Sequence, residues 1–394
     1  MRPELHSRAR HQDLDRPVPA KIRVLHLCDK FGIRGARTHG VSRLFSWWLP
    51  RFDPEEFDVR LVGILPPDQA SAHLEQQGLT PVCLGRHRFD PRVTTDLLAM
   101  VRRDRPHILH AHGYATSNYA RLVALMADVR VIVHDHAAFP TIPSYQRAVD
   151  WVLARRADLG IAVSASTREF MVRCRHLPAD RVRLVFNGAP LEEFKRPSAE
   201  RVRAERERRG IGDGEIVIGT VGRLDHQKGT TYFLQAAAHV MRLRPAVRIV
   251  VAGDGHLLEQ HREEARALGI AERTTFTGFC DDVPALQAVL DMQVFPSLWE
   301  GTPLTVFEAM SMGLPIVSTA VDGLAEVLRP RENALMVPPR DAEALAAAML
   351  ELVDNPARAA ELGARAQHDS GRYDVCTTVR ELEAIYRELA GGSS

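Results

Sequence analysis

The chain has 394 residues, 45% of them hydrophobic and 26% charged, which is ample for two ordinary globular cores and excludes a disordered or fibrous polymer. Five scattered cysteines (Cys28, Cys83, Cys174, Cys280, Cys376) match no disulfide or metal-ligand framework, and no apolar run approaches membrane-spanning length, so a reduced, cytoplasmic setting is expected. The net charge of +1 hides an asymmetry: residues 1–190 hold 28 Lys and Arg against 19 Asp and Glu, whereas the remainder hold 23 against 31.

Residues 1–20 carry charge and proline rather than a signal-peptide core and read as a disordered tail. Arg23 to Leu27 reads as a strand, followed by a glycine-bearing loop, Gly32-Ile33-Arg34-Gly35-Ala36-Arg37-Thr38-His39-Gly40, and a helix from Val41 to Leu49. Phe45, Trp47, Trp48, Leu49 and Phe52, with Arg43 and Arg51 among them, admit two readings. The helix buries the cluster against a sheet, or it lies at a membrane interface with its arginines on anionic headgroups. Adjacent Trp47 and Trp48 are not expected to share the centre of one core face, which leaves one for lipid or acceptor. Val59 to Ile64, Ile108 to His110, Val131 to Val133 and Leu159 to Val163 supply further strands.

His110-Ala111-His112 and His134-Asp135-His136 place alternate residues on one strand face, which is one route to a metal site. No carboxylated-lysine or further ligand pattern follows, as a metal-dependent barrel hydrolase would need, and hydrogen-bonded structural histidines are the other reading. No metal is expected. The basic first half suits an anionic acceptor or an anionic membrane face, and no nucleic-acid motif accompanies the charge. A charged, helix-prone linker over 195–213 separates this half from the next.

Ile216 to Val221 then reads as a strand ending in Gly222-Arg223-Leu224, with Asp225-His226-Gln227-Lys228-Gly229 leading into a helix from Tyr232. A strand, a turn bearing Arg and Lys, and a helix present cations at a sheet's carboxyl edge, the Arg as a planar fork and the Lys as a point charge. Val247 to Ala252 with Gly253-Asp254-Gly255, and Thr274 to Thr277 with Gly278-Phe279, repeat the pattern. Asp281-Asp282 reads as a helix-start pair rather than a metal site. Glu300 and Glu308 follow, eight positions apart, with a helix start between them. Thr302 is expected as the N-cap and Pro303 as the first helical residue, leaving the amides of Leu304, Thr305 and Val306 to hold an anion. Glu308 falls one turn after Leu304, on the same face. A phosphate flanked by two hydroxyl-binding carboxylates describes a nucleotide sugar.

These segments, in this order, resemble the retaining glycosyltransferases of family 4, which have the two-domain GT-B fold. The resemblance runs from about Lys21 to the C-terminus and is most specific between Gly219 and Val337. It rests on Val221-Gly222-Arg223-Leu224, Lys228-Gly229 and the glutamate–seven residues–glutamate signature Glu300 to Glu308. Val185-Phe186-Asn187-Gly188 to Phe194, Asn333 to Asp341 and Arg372-Tyr373 resemble other family segments. The resemblance implies two doubly wound α/β domains facing a cleft: a first over 21–194, a second over 214–374, and a last helix within 375–394 crossing back. It implies that Arg223 and Lys228 grip the donor diphosphate, that Glu308 binds the ribose, and that Glu300 contacts the sugar. By the same likeness Gly35, Asp254, Phe279, Leu304 and Thr305 line the donor site, and a histidine faces the sugar, His136 fitting best and His134 remaining an alternative. Relatives carry Gly-Gly-Ala-Glu where this chain has Arg34-Gly35-Ala36-Arg37. The two arginines favour a phosphate-bearing or lipid-linked acceptor over a neutral glycan. The implied reaction is metal-independent sugar transfer with retention. A nucleotide-sugar epimerase of the same fold, or a non-catalytic carbohydrate-binding protein, is the alternative.

Overall fold

A computed structural model describes residues 21–32, 40–138 and 141–391. Two all-parallel sheets form the two halves. The first contains β1 (Ile22–Cys28), β2 (Phe57–Gly63), β3 (Val82–Cys83), β4 (Ile108–His112), β5 (Arg130–Asp135), β6 (Leu159–Ala162) and β7 (Val182–Leu184), in the order β3-β2-β1-β4-β5-β6-β7. The second contains β8 (Ile216–Val221), β9 (Val247–Ala252), β10 (Thr274–Gly278), β11 (Met292–Phe295), β12 (Ile316–Thr319) and β13 (Leu335–Val337), in the order β10-β9-β8-β11-β12-β13. Helices cover both faces, so the central strands are near-continuous apolar runs, such as the buried Val131-Ile132-Val133. Each sheet reverses its winding once, between β1 and β4 and between β8 and β11. Crevices for ligands form at such switch points, beyond the strands' carboxyl ends.

The chain crosses between the halves twice, at residues 189 and 374, and the crossings are pinned together. Ala189 N donates to Tyr373 O and Val375 N to Ala189 O, both at 3.0 Å. Gly188 permits this approach, because a Cβ there would overlap the backbone of Val375. The helix Val375–Leu389 then packs on the first half. Tyr386 enters its core, the Glu383 carboxylate accepts from Asp53 N at 3.1 Å, and Arg387 pairs with Glu56 at 2.6 Å.

The aromatic cluster after β1 is core. Trp48 is fully buried and Trp47 nearly so. The expectation that one tryptophan would remain available is wrong because the Gly40–Trp48 helix has two apolar neighbours. Trp48 faces the first sheet's histidines, while Trp47 lies against Phe194 of the interdomain segment, ring centres 6.4 Å apart. The loop residues Arg34, Gly35 and Arg37 and the tail 1–20 lie outside the described residues.

Candidate active site

At the carboxyl end of β8 the glycines are dictated by backbone contact. A Cβ on Gly253 would overlap the Gly222 carbonyl, one on Gly255 the Leu224 carbonyl, and one on Gly229 the Pro296 carbonyl. The turns after β8 and β9 therefore stack directly, and Gly229 begins the Thr230–Leu243 helix in the left-handed region at φ 61°. A pocket lies here between Thr220–Leu224, Lys228, Thr230 and Phe295–Ser297. Arg223 hangs at its rim, held by Asp225 at 2.8 Å and by Gln227 Oε1 at 3.2 Å. Asp254 is exposed and turned onto its own neighbour, the amide of Gly255, at 2.7 Å. Phe279 is half-buried after edge strand β10, two strands from β8, while the main chain of Asp254 adjoins the pocket, its carbonyl accepting from Leu224 N at 2.9 Å. Asp282 caps the Val283–Ala288 helix by accepting from Ala285 N, as expected of a helix-start pair.

Glu300 is buried beside Lys228. Its Oε1 lies 2.5 Å from Lys228 Nζ and accepts from Ser297 Oγ at 2.8 Å, while Oε2 accepts from Gln227 Nε2 at 3.1 Å. The helix beyond starts one residue later than expected, at Leu304, with Pro303 in the cap position and without a side-chain cap. Thr302 is not the N-cap. Its hydroxyl donates instead to Val163 O of the first half at 2.9 Å. The amides of Leu304 and Thr305 still head that helix. Glu308 is wholly buried on it, and its Oε1 lies 2.8 Å from Arg43 NH1. Burial pushes the Glu308 carboxyl above the usual range, partly countered by Arg43.

The two halves meet at this point through backbone. A Cβ on Gly301 would overlap the His136 carbonyl, and one on Gly323 would overlap the Gly301 carbonyl. Glu326 adds a carboxylate from the second half onto the amides of Ala165 and Ser166, at 2.6 and 3.0 Å, where the Ala165–Arg173 helix begins. The seam therefore seats the residue after Glu300 on the backbone of His136.

His136 ends a row of imidazoles. In the parallel register His26 stands opposite His110 and His112 opposite His134, all on one face of the sheet. His26 Nδ1 is 2.9 Å from His112 Nε2, and His112 Nδ1 is 2.9 Å from His136 Nε2. A second row joins His110 Nε2 to His134 Nδ1 at 3.0 Å, and the Tyr386 hydroxyl closes both rows on His26 Nε2 and His110 Nδ1 at 2.9 and 2.7 Å. Burial holds all four inner imidazoles far below the usual histidine range, His26 at about 3, so they are neutral. One ring nitrogen from each of His26, His110 and His112, and likewise of His112, His134 and His136, lies within metal-binding reach of the others. Most of those nitrogens already face one another in hydrogen bonds. His134 sits in the interior row, stacked on Trp48, and His136 at the exit.

Sequence reasoning did not single out His26, Tyr386 or Gly301, and it offered Arg43 to anionic headgroups rather than to Glu308. The signal for His26 was its register opposite His110, which needs the strand order. Arg43 and Tyr386 reach the site only through tertiary packing, from residues 308 and 110 respectively.

Two family models match the chain: Glycosyltransferase Family 4 over residues 38–193 and Glycosyl transferases group 1 over residues 202–369. Among curated relatives, the 2-deoxystreptamine N-acetyl-D-glucosaminyltransferase of Streptomyces fradiae is 30% identical over 328 residues, 76% of each chain. The UDP-Gal:alpha-D-GlcNAc-diphosphoundecaprenol alpha-1,3-galactosyltransferase of Escherichia coli is 24% identical over 276 residues, 68% of this chain and 71% of that protein. The crystal structure of Anabaena HepE in complex with UDP has a similar fold, with a TM-score of 0.80 at 20% identity, covering 93% of this chain and all of that one. The chain belongs to the family 4, group 1 glycosyltransferases, and its two parallel-sheet halves have the GT-B fold.

Proposed function

We propose that this glycosyltransferase moves a sugar from a UDP-sugar, with retention and without a metal ion, to an acceptor sugar carried on a phosphate-bearing membrane lipid. The observation that carries the donor half is the seam at Gly301. It seats the residue after Glu300, whose carboxylate holds Lys228, on the main chain of His136, so that the second half's glutamate–lysine pair and the end of the first half's histidine row stand on adjoining backbone where two sheets present their carboxyl ends. Arg223 and Lys228 are assigned to the diphosphate, the amides of Leu304 and Thr305 to its oxygens, Glu308 to the ribose, and Glu300 with His136 to the sugar. Lys228 and Arg223 offset the leaving diphosphate's charge, the role a divalent ion has in metal-dependent transferases.

The acceptor half rests on the helix that follows His136 in sequence. Ser144–Leu153 exposes Tyr145, Val149, Trp151 and Val152, the last two 70% and 67% exposed, beside exposed Arg147, Arg155 and Arg156. This apolar face with a basic border has the character of an interfacial helix, in place of the buried Gly40–Trp48 helix. Asp150 anchors it from below, paired with Arg121 at 2.5 Å and with Arg175 at 3.2 Å. Among the described residues no helix is long and apolar enough to cross a membrane, so contact would be peripheral. The E. coli relative's named diphosphoundecaprenol substrate supports a lipid carrier, and Arg34 and Arg37 are assigned to its phosphate.

Turnover of UDP-sugars with EDTA present, followed by NMR of the product's anomeric proton, tests the donor half; strict metal dependence or an inverted linkage refutes it. Co-sedimentation with vesicles containing anionic lipid, compared between the wild type and a Trp151→Ser, Val152→Ser double variant, tests the acceptor half. Equal pelleting of both, or transfer to a soluble aminocyclitol in place of the lipid-linked sugar, refutes that half alone.

A further inference from the structure

Asp322 holds a backbone conformation that most side chains avoid. Its φ of 31° lies in the left-handed region, where a Cβ crowds the neighbouring carbonyl oxygen, and it opens the Asp322–Val327 helix. The residue after it is a glycine for a separate reason, since a Cβ on Gly323 would overlap the Gly301 carbonyl. A glycine at 322 would take the same φ freely, so what aspartate adds at this position is its carboxylate.

That carboxylate is directed at Glu300. Asp322 Oδ2 accepts from Glu300 N at 3.2 Å, and among the described residues no main-chain carbonyl accepts from that amide. Gly323 N lies 3.5 Å from Glu300 O, so the turn engages Glu300 on both sides. The contact is kept against opposition. Partial burial pushes the Asp322 carboxyl up, the Glu300 amide pulls it down, and the carboxylates of Glu300 and Glu326 raise it again. Backbone strain and like charge retained beside a candidate reacting group point to a role in its chemistry.

The same turn is tied to the first half. Glu326, four residues on, accepts from the amides of Ala165 and Ser166, and Gly301 rests on the His136 carbonyl. The Glu300 carboxylate is oriented separately, by Lys228, Gln227 and Ser297. Those three set the direction of the side chain, whereas Asp322 sets where its main chain stands relative to the seam.

We propose that Asp322 is a positioning residue for Glu300, fixing its main chain so that the carboxylate meets the donor sugar. Asp322 acts through Glu300 rather than on the donor. The sugar contact rests on the proposed function, whereas the hydrogen bond to the Glu300 amide does not.

Two variants separate this role from that of a turn residue. Asp322→Gly relieves the backbone but deletes the acceptor, while Asp322→Asn keeps a side-chain oxygen and tolerates the left-handed region. The glycine variant should unfold cooperatively within a few degrees of the wild type and bind UDP within about twofold. Its kcat should fall about tenfold, the worth of one hydrogen bond expressed in the transition state. The asparagine variant should recover most of that turnover. Equal loss in both variants overturns the proposal. A readout that needs no donor is hydrogen exchange at the Glu300 amide, followed in the full chain labelled with ¹⁵N-glutamate and assigned by its absence in Glu300→Gln. The amide should be protected in the wild type and in Asp322→Asn, and exchange about tenfold faster in Asp322→Gly; an unprotected amide in the wild type refutes the contact outright. Full activity in Glu300→Gln removes Glu300 from the sugar, while full activity in Asp322→Gly beside an impaired Glu300→Gln refutes the positioning role alone.

Discussion

Acid should unfold this protein unusually early, because four histidines are stored neutral in its first core. The native state keeps His26, His110, His112 and His134 unprotonated well below pH 6.5, whereas the unfolded chain protonates them near 6.5. Below that pH the unfolded state binds more protons, so stability falls as pH falls and is fully present only above about 6.5. For His26, held at about 3, the descent from pH 7 to pH 5 costs about 2 kcal/mol, and the three other buried imidazoles add to the loss in the same direction. Asp135 and Glu308, whose carboxyls burial pushes up, take protons first in the native state and offset part of that loss. Against a typical domain stability of about 5–15 kcal/mol, a loss of this sign should be plainly measurable by pH 5. Urea unfolding at pH 7, 6 and 5, followed by near-ultraviolet circular dichroism, measures the slope. An unfolding free energy that is flat or rising between pH 7 and 5 refutes the neutral, buried ladder.

Other predictions follow from the donor site. Arg223→Ala and Lys228→Ala should each weaken UDP binding by about 1.5–3 kcal/mol in calorimetry while thermal unfolding stays cooperative, and unchanged affinity in both removes them from the diphosphate. Glu300→Gln should depress turnover more than UDP affinity, and Glu308→Gln the reverse; equal losses of UDP affinity contradict the division of roles. Arg43→Met should leave Glu308 buried without its cation and push its carboxyl further up, so that UDP binds about tenfold more weakly at pH 7 and recovers as pH rises. A UDP affinity in that variant independent of pH between 7 and 9 would detach Arg43 from the carboxylate's charge.

The alternation of apolar runs with glycine turns made the two parallel sheets legible, because a covered parallel strand is apolar on both faces and the turns at its carboxyl end must be tight. Local chemistry also placed Asp282, whose capping depends only on residues within one turn. What failed was anything decided by a third element. Thr302 is an apt cap by composition, yet its hydroxyl is claimed by Val163 across the seam. Trp47 and Trp48 look too large for one core face, and they are, but the interdomain segment at Phe194 supplies a second. The histidine pairs were visible as two separate His-x-His motifs. Their fusion into one chain required β1 to lie beside β4 and a tyrosine near the C-terminus to cross back, neither of which has a local signature.

The charged groups assigned to the donor are not idle in this structure. Lys228 holds Glu300, Arg43 holds Glu308, and Arg223 holds Asp225. Breaking a buried pair by removing one partner costs about 3–5 kcal/mol, so the buried carboxylates Glu300 and Glu308 cannot simply be left behind when a ligand enters. A diphosphate can replace Glu300 as the anion beside Lys228 only if Glu300 finds another donor, and sugar hydroxyls offer one. A ribose can likewise satisfy Glu308 while Arg43 still balances its charge. Nucleotide and sugar must then arrive together for every buried charge to be paired. Free nucleotide would satisfy Lys228 while leaving Glu300 only its neutral donors Ser297 and Gln227, so the intact donor should be a better ligand than its product, which favours release once the sugar has left.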